Sequence, residues 1–199
     1  MYKQIKLMKK LSLMMMIALA ACMFQACSGN KDSAETADSI NAERDSANAV
    51  EAGVAADEGD AKFAVDAANG GMAEVALGKL AEGKAVNAKV KEFAAMMVAD
   101  HTKANDELMA LAQSKNITLP QAVSTEKQAV MDELTKKSGN DFDKAYVDQM
   151  VDDHKKTVSL FEDASKNAKD ADIKAFVDKT LPALKAHLEH ANAIHDSMK

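Results

Sequence analysis

Apolar residues recur along most of the chain at alternating steps of three and four, the spacing that places them on one side of an α-helix. Four such stripes lie between residues 60 and 199, and each carries one polar residue near its centre. The four helices are therefore expected to pack side by side, with these polar side chains pointing inward. The polar residues are Glu74, His101, His154 and His187.

Capping residues and helix breakers set the ends of the predicted helices. Asn87 is a suitable N-cap, Pro120 lies beyond the second long helix, and Ser138-Gly139-Asn140 interrupts the periodic pattern. The expected fold class is all-α, a four-helix bundle over residues 60–199 with a short extra helix between the second and third long helices. The predicted helices cover 60–84, 87–115, 124–137, 141–167 and 170–198.

The first 26 residues have the features of a secretory signal peptide. Four lysines precede an apolar run over residues 11–21, which is too short to cross a bilayer comfortably. Two cysteines stand in segments that resemble the lipobox of bacterial lipoproteins: LAAC ending at Cys22 is the closer match, and FQAC ending at Cys27 is a looser one. The polar run directly after Cys27 favours that cysteine as the lipidated one, with Cys22 as the alternative.

A lipid on either cysteine would make the membrane a partner of this protein, through an N-terminal anchor. The expected location is then the cell envelope, as an outer-membrane lipoprotein that faces the periplasm or the cell surface. An ordinary cleaved signal peptide with incidental cysteines is the other interpretation of the same segment.

Residues 27–59 form an acidic segment of mainly serine, alanine, aspartate, glutamate and asparagine. It offers too little apolar surface to offset the entropy of ordering, so we predict a disordered tether, with transient helix around residues 40–51 as the alternative. The net charge of the whole chain is −6, and removal of the four lysines with the signal peptide makes the remainder more acidic. Such a chain is a poor candidate for binding nucleic acid, and the sequence identifies no protein partner.

The inward polar residues allow two interpretations. Three imidazoles and one carboxylate on facing helices suit a transition metal ion such as copper, zinc or iron. Met97 and Met150 each stand four residues before a histidine, in a shared M-V-x-D-H-x-K pattern, and would favour a softer ion such as copper(I). Against this, buried histidines commonly bond a backbone carbonyl or an acid, so Glu74 and one histidine could simply form a polar core pair.

Four segments of the helical region carry a resemblance to a known family. They are AANGGMAEVALGKLA, VKEFAAMMVADHTKANDELMALA with the following ITLP, FDKAYVDQMVDDHKKTVSLFEDA, and TLPALKAHLEHA. Together they resemble the bacterial ferritin-like family of unknown function numbered 4142, whose members are often described as exported or outer-membrane proteins. The resemblance implies a ferritin-like four-helix bundle, and it implies no activity.

A carboxylate-bridged di-iron centre is not expected in this bundle. Ferritin-like di-iron proteins place a glutamate three residues before a histidine on two helices. Here Val98, Val151 and Leu184 occupy the positions three residues before the central histidines. The metal chemistry of those proteins therefore does not transfer.

Two classes of function remain. The first is a non-enzymatic envelope module with a structural, stress-related or interaction role. The alternative is an extracytoplasmic metal-binding or metal-dependent redox protein that uses Glu74 and the three histidines. No serine or cysteine nucleophile motif and no phosphate-binding loop is present, so no catalytic residue is predicted.

Overall fold

The computed structural model describes residues 32–48 and 56–199. The expected signal peptide, with Cys22 and Cys27, lies outside these residues. The described part is all helical, as the periodicity predicts, and none of its helices is long and apolar enough to cross a membrane. The helices are α1 (Ser33–Asn48), α2 (Glu58–Lys84), α3 (Ala88–Ser114), α4 (Thr125–Thr135), α5 (Gly139–Asn167) and α6 (Ala171–Ser197).

The four long helices α2, α3, α5 and α6 form the predicted bundle. Their ends fall within two residues of the predicted ones, and polar side chains cap the first turns of α2, α3 and α6. The Asn87 side chain accepts from the Lys89 N–H, and Asp170 accepts from the N–H groups of Asp172 and Ile173. Helix α2 pairs with α3 and α5 pairs with α6, and across these hairpins α2 packs on α5 and α3 on α6.

Two buried carboxylates join one hairpin to the other. Asp60, near the start of α2, accepts from the backbone N–H of Asp170 at 2.7 Å, where α6 begins. Asp143, near the start of α5, accepts from the backbone N–H of Asn87 at 2.7 Å, where α3 begins. Asp60 and Asp143 are 3% and 0% exposed. Each hairpin therefore supplies an acceptor for unpaired N–H groups at a helix start of the other, which fixes the register between them.

Glycines allow α2 and α3 to approach closely. A Cβ atom added at Gly78 would lie 2.7 Å from Val98 Cγ2, and one at Gly71 would overlap the Asn105 side chain. Gly70 and Gly83 face open space. The two close positions lie about one turn on either side of Glu74, so they hold that part of α2 against α3.

The bundle core consists of two apolar clusters separated by a polar layer. One cluster includes Met97, Met150 and Ala191, and the other includes Leu108, Phe161 and Leu184. Glu74, His101, His154 and His187 lie on their helices between members of these two clusters. They are 2%, 5%, 0% and 4% exposed, which confirms the prediction that all four are buried.

The N-terminal helix α1 differs from the expectation of a disordered tether over residues 27–59. Ala37 is buried, and the Asn41 side chain bonds both the N–H and the carbonyl of Thr118. Asp32 accepts from the N–H and the hydroxyl of Thr125, at the start of α4. This helix is held by side-chain hydrogen bonds to the connection between α3 and α4, rather than by an apolar stripe, so a count of apolar residues does not reveal it.

Candidate metal centre

Three buried histidines from three helices converge in the polar layer. His101 lies on α3, His154 on α5 and His187 on α6. Their ring centroids are 5.3–5.6 Å apart, and one ring nitrogen from each lies within 4.8 Å of the other two. The heptad spacing that makes each helix amphipathic therefore also brings the three imidazoles to one level of the bundle.

In each ring, one nitrogen faces a hydrogen-bond acceptor at the edge of the layer. We call it the outer nitrogen, and the other one the inner nitrogen. His101 Nδ1 lies 3.0 Å from Glu74 Oε2, His154 Nδ1 lies 2.9 Å from the Met150 carbonyl oxygen, and His187 Nε2 lies 2.9 Å from Asp100 Oδ2. Because all three partners are acceptors, each outer nitrogen carries a hydrogen. In a neutral ring the inner nitrogen then presents its lone pair, which is the arrangement that metal-binding histidines use.

The inner nitrogens have no partner of their own. His101 Nε2, His154 Nε2 and His187 Nδ1 are buried and make no hydrogen bond. A buried polar atom without a partner costs about 1–3 kcal/mol, so three of them in one layer call for a common partner. Metal–imidazole bonds of about 2.0–2.1 Å place tetrahedral ligand nitrogens roughly 3.4 Å apart. Small ring movements would therefore bring these nitrogens around one ion.

Glu74 lies behind the rings and is not part of the converging group. Its Oε2 bonds His101, and its Oε1 lies 3.4 Å from His154 Nδ1. Burial raises the pKa of the Glu74 carboxyl, but His101 and His154 outweigh burial and lower the pKa overall. Oε1 makes no hydrogen bond, because His154 Nδ1 bonds the Met150 carbonyl instead. Glu74 is therefore an ionised group that orients His101 and supplies a negative charge next to the converging nitrogens.

The three rings differ in their affinity for protons. Burial lowers the pKa of His154 and of His187, and Glu74 and Asp100 offset this only in part. Burial also lowers the pKa of His101, but the Glu74 carboxylate outweighs it and the pKa is raised overall. His154 and His187 are thus neutral at neutral pH. A metal ion bound at His101 Nε2 would replace the second proton of that ring, whereas the Nδ1–H would keep its bond to Glu74.

The other side chains named from the sequence take different places. Met97 and Met150 are fully buried in the apolar cluster at one end of the polar layer, and Met150 meets His154 through its backbone oxygen. Asp153 bonds Lys127 at 2.6 Å and Gln149 at 2.9 Å rather than an imidazole. Of the two aspartates that precede histidines in the repeated pattern, only Asp100 orients a ring.

Sequence reasoning missed two polar groups beside this layer. Lys127 of α4 lies close enough to Glu74 for its positive charge to lower the pKa of the Glu74 carboxyl further. Tyr146 of α5 is fully buried, its hydroxyl has no partner, and burial followed by the Glu74 charge raises its pKa. Tyr146 stands eight residues before His154, two helical turns along the same face. That spacing could have predicted that Tyr146 points inward as His154 does.

A surface cavity of about 210 Å³ lies between α3 and α6, next to the histidine layer. Its lining includes the rings of His101 and His187 and the small side chain of Ala183. Lys179 and Glu107, one from each helix, form an ion pair of 2.7 Å at this cavity. The lining does not include His154. The cavity therefore adjoins the histidine layer at His101 and His187.

The fold and the site define a helical-bundle protein with a buried cluster of three histidines. The chain belongs to the family described as domain of unknown function DUF4142, whose sequence profile matches residues 45–194. The family resemblance seen in the sequence is therefore confirmed. No curated protein matches the chain.

A solved structure described as "CopM in the Cu(II)-bound form" is similar to this protein. The TM-score is 0.60 with 15% sequence identity, and the match covers 70% of this chain and 97% of that chain. The two proteins therefore share a helical fold. At this level of identity the similarity says nothing about equivalent ligands.

Proposed function

We propose that this protein is a non-enzymatic metal-binding protein of the bacterial cell envelope, with one transition metal ion held by His101, His154 and His187. The observation that supports this most strongly is the set of three buried, unpartnered imidazole nitrogens in one layer. Each ring is already fixed from behind by an acceptor, so binding requires little reordering. Glu74 is proposed as an orienting partner and counter-charge rather than as a ligand.

Copper and zinc fit this donor set better than iron does. Neutral imidazole suits all three ions, but non-haem iron sites commonly add a carboxylate ligand, and Glu74 pairs with the outer nitrogen of His101 and is not part of the converging group. A distant structural neighbour is described in a Cu(II)-bound form, which makes copper the first ion to test. Both cysteines of the chain lie in the first 27 residues, so the bundle offers no thiolate ligand.

The envelope part of the proposal rests on the N-terminal sequence. A basic start, a short apolar run and a cysteine after small residues favour export and lipid attachment at Cys27, or at Cys22. A lipid anchor would keep the bundle at a membrane that its own described helices do not cross. Metal held in this way would be sequestered outside the cytoplasm.

A structural or interaction module without metal is the second candidate. It is favoured by the outer hydrogen bonds, which give every ring of the layer one partner in the absence of any ion. The bundle can therefore fold around its polar layer first and bind metal afterwards. The two candidates differ in whether the inner nitrogens have a physiological occupant.

Metal titration of an untagged bundle separates the two candidates. We expect one equivalent of Cu(II) or Zn(II) to bind tightly, and His187→Ala, which leaves two imidazoles, to weaken that binding strongly. The matched control is His190→Ala, which changes an exposed histidine one turn further along the same helix and should leave the stoichiometry at one. Equal binding by both variants would place the metal elsewhere and would favour the module without a metal.

A further inference from the structure

The partners of the three outer ring nitrogens differ in how far they are exposed to solvent. Glu74, the partner of His101, is 2% exposed, and the partner of the fully buried His154 is a backbone carbonyl within its own helix. Asp100, the partner of His187, has a side chain that is 51% exposed. His187 is therefore the one ring held from the solvent side of the bundle.

This difference decides which ring can turn at the lowest cost. Turning His101 would leave an ionised carboxylate buried without its partner, and turning His154 would leave a buried carbonyl unpaired, both of which are costly. Turning His187 releases Asp100 to water, which replaces the lost hydrogen bond. Among the three ligands, His187 is thus the one whose release requires the least desolvation.

The space for this movement lies directly beside the ring. The cavity between α3 and α6 is lined by His187 and its partner Asp100, with small neighbours at Ala104 and Ala183. The inner ring nitrogens are themselves shielded from solvent, so a metal ion cannot reach them while all three rings stay in place. Exchange of the ion requires one ring to move, and the cavity gives His187 room to do so.

We propose that His187 is the exchange ligand of the site, and that metal enters and leaves through the cavity between α3 and α6 when this ring turns outward. This inference rests on the proposed function, because it requires metal at the three histidines. Asp100 is then a positioning residue that sets how often the ring turns. The Lys179–Glu107 ion pair spans the two helices at the same cavity and limits the opening.

The test compares rates with affinity, using Cu(II) as the probe. Ala183→Phe narrows the cavity, and we expect it to slow both Cu(II) association and its release to a chelator by about tenfold, which is about 1.4 kcal/mol in each barrier, with the Kd unchanged. Ala186→Phe is the matched control, since Ala186 is also an exposed alanine of α6 but does not line the cavity. It should leave both rates at the wild-type value.

A second variant acts in the opposite direction. Lys179→Ala removes the ion pair across the cavity and should raise both rates by the same factor. A purely electrostatic effect of the lost positive charge would raise the association rate alone, which would count against the proposal.

Equal rates in wild type, Ala183→Phe and Lys179→Ala would overturn the exchange route while leaving metal binding intact. Failure of the wild-type protein to bind Cu(II) or Zn(II) would instead refute the proposed function itself. Asp100→Ala adds an independent readout, because loss of the acceptor should speed release, whereas Asp100→Asn retains an acceptor oxygen and should stay close to wild type. Identical release from these two variants would exclude the positioning role.

Discussion

Replacement of Glu74 by glutamine tests the electrostatics of the buried layer in the metal-free protein. The Glu74 carboxylate faces ring N–H groups, with Oε2 3.0 Å from His101 Nδ1 and Oε1 3.4 Å from His154 Nδ1. Glutamine keeps the shape of the side chain but removes its charge. It also places an NH₂ donor where a carboxylate oxygen accepted. One ring N–H must then face the NH₂ group, and two donors cannot bond each other.

The size of the effect follows from the burial of this pair. Breaking a buried ion pair by removing one partner costs about 3–5 kcal/mol, and the remaining amide oxygen recovers about 1 kcal/mol by accepting from His101. We therefore expect Glu74→Gln to lower the free energy of unfolding by about 2–4 kcal/mol. For a domain of this size, the corresponding loss in Tm is roughly 5–15 °C.

The loss of stability should depend on pH in a defined direction. The pKa of Glu74 is lowered from its ordinary 4.5, so its stabilisation is present above pH 4.5 and is lost as the pH falls through the folded-state pKa. The pKa of His101 is raised from its ordinary 6.5, so its stabilisation is present below pH 6.5 and is lost as the pH rises through the folded-state pKa. The pair contributes fully between these limits.

Urea unfolding in the presence of a chelator at pH 5.5 and pH 9 measures this directly. The difference between wild type and Glu74→Gln should be larger at pH 5.5. Glu82→Gln is the control, because Glu82 is an exposed glutamate of the same helix, and it should change stability by less than about 0.5 kcal/mol. A larger difference at pH 9, or a Glu74→Gln variant as stable as wild type, would refute the ion-pair account.

Three further predictions concern the anchor and the packing of the bundle. Replacing both Cys22 and Cys27 by serine should release the protein from the membrane fraction, and intact-mass measurement of a wild-type product that begins at neither cysteine would contradict lipidation. Asp143→Ala leaves two backbone N–H groups of the α2–α3 turn without their acceptor, so unfolding experiments should show a loss of about 2–4 kcal/mol. Gly78→Ala should destabilise by about 1–3 kcal/mol through overlap with Val98 and the Ala94 carbonyl of α3, whereas Gly70→Ala, which faces open space, should stabilise by up to about 1 kcal/mol in the same assay.

The sequence was sufficient to predict the helices and the burial of the polar layer. Apolar periodicity over 25 residues or more predicts a helix, and it also defines which side chains face inward. Glu74, His101, His154 and His187 are accordingly buried where the stripes place them. That they bind a metal ion stays a prediction.

Periodicity could not predict the division of roles within the layer. Which nitrogen of a histidine points inward depends on the acceptor behind the ring, and that acceptor comes from another helix for His101 and His187. From the sequence, Glu74 was predicted to be a metal ligand together with the histidines. In the structure its carboxylate instead contacts the outer nitrogen of His101. The repeated Asp-His pattern was equally ambiguous, because Asp100 reaches an imidazole and Asp153 reaches Lys127.

The sequence pattern also could not predict hydrogen bonds between residues that are far apart along the chain. Asp60 and Asp143 are charged residues near helix starts, where a local capping role is the ordinary expectation. Their actual partners are backbone N–H groups 110 and 56 residues away. The ordered state of helix α1 was missed for a related reason, since Asp32 and Asn41 hold it through hydrogen bonds to residues that only the folded chain brings near.

The measurement that tests the central claim most directly is X-ray absorption at the metal edge of the untagged protein loaded with one equivalent of copper. The account predicts three imidazole nitrogens at about 2.0–2.1 Å, and loss of part of this imidazole scattering in His187→Ala but not in His190→Ala. A spectrum dominated by sulfur at about 2.3 Å, or by oxygen without imidazole, would contradict a centre built from His101, His154 and His187.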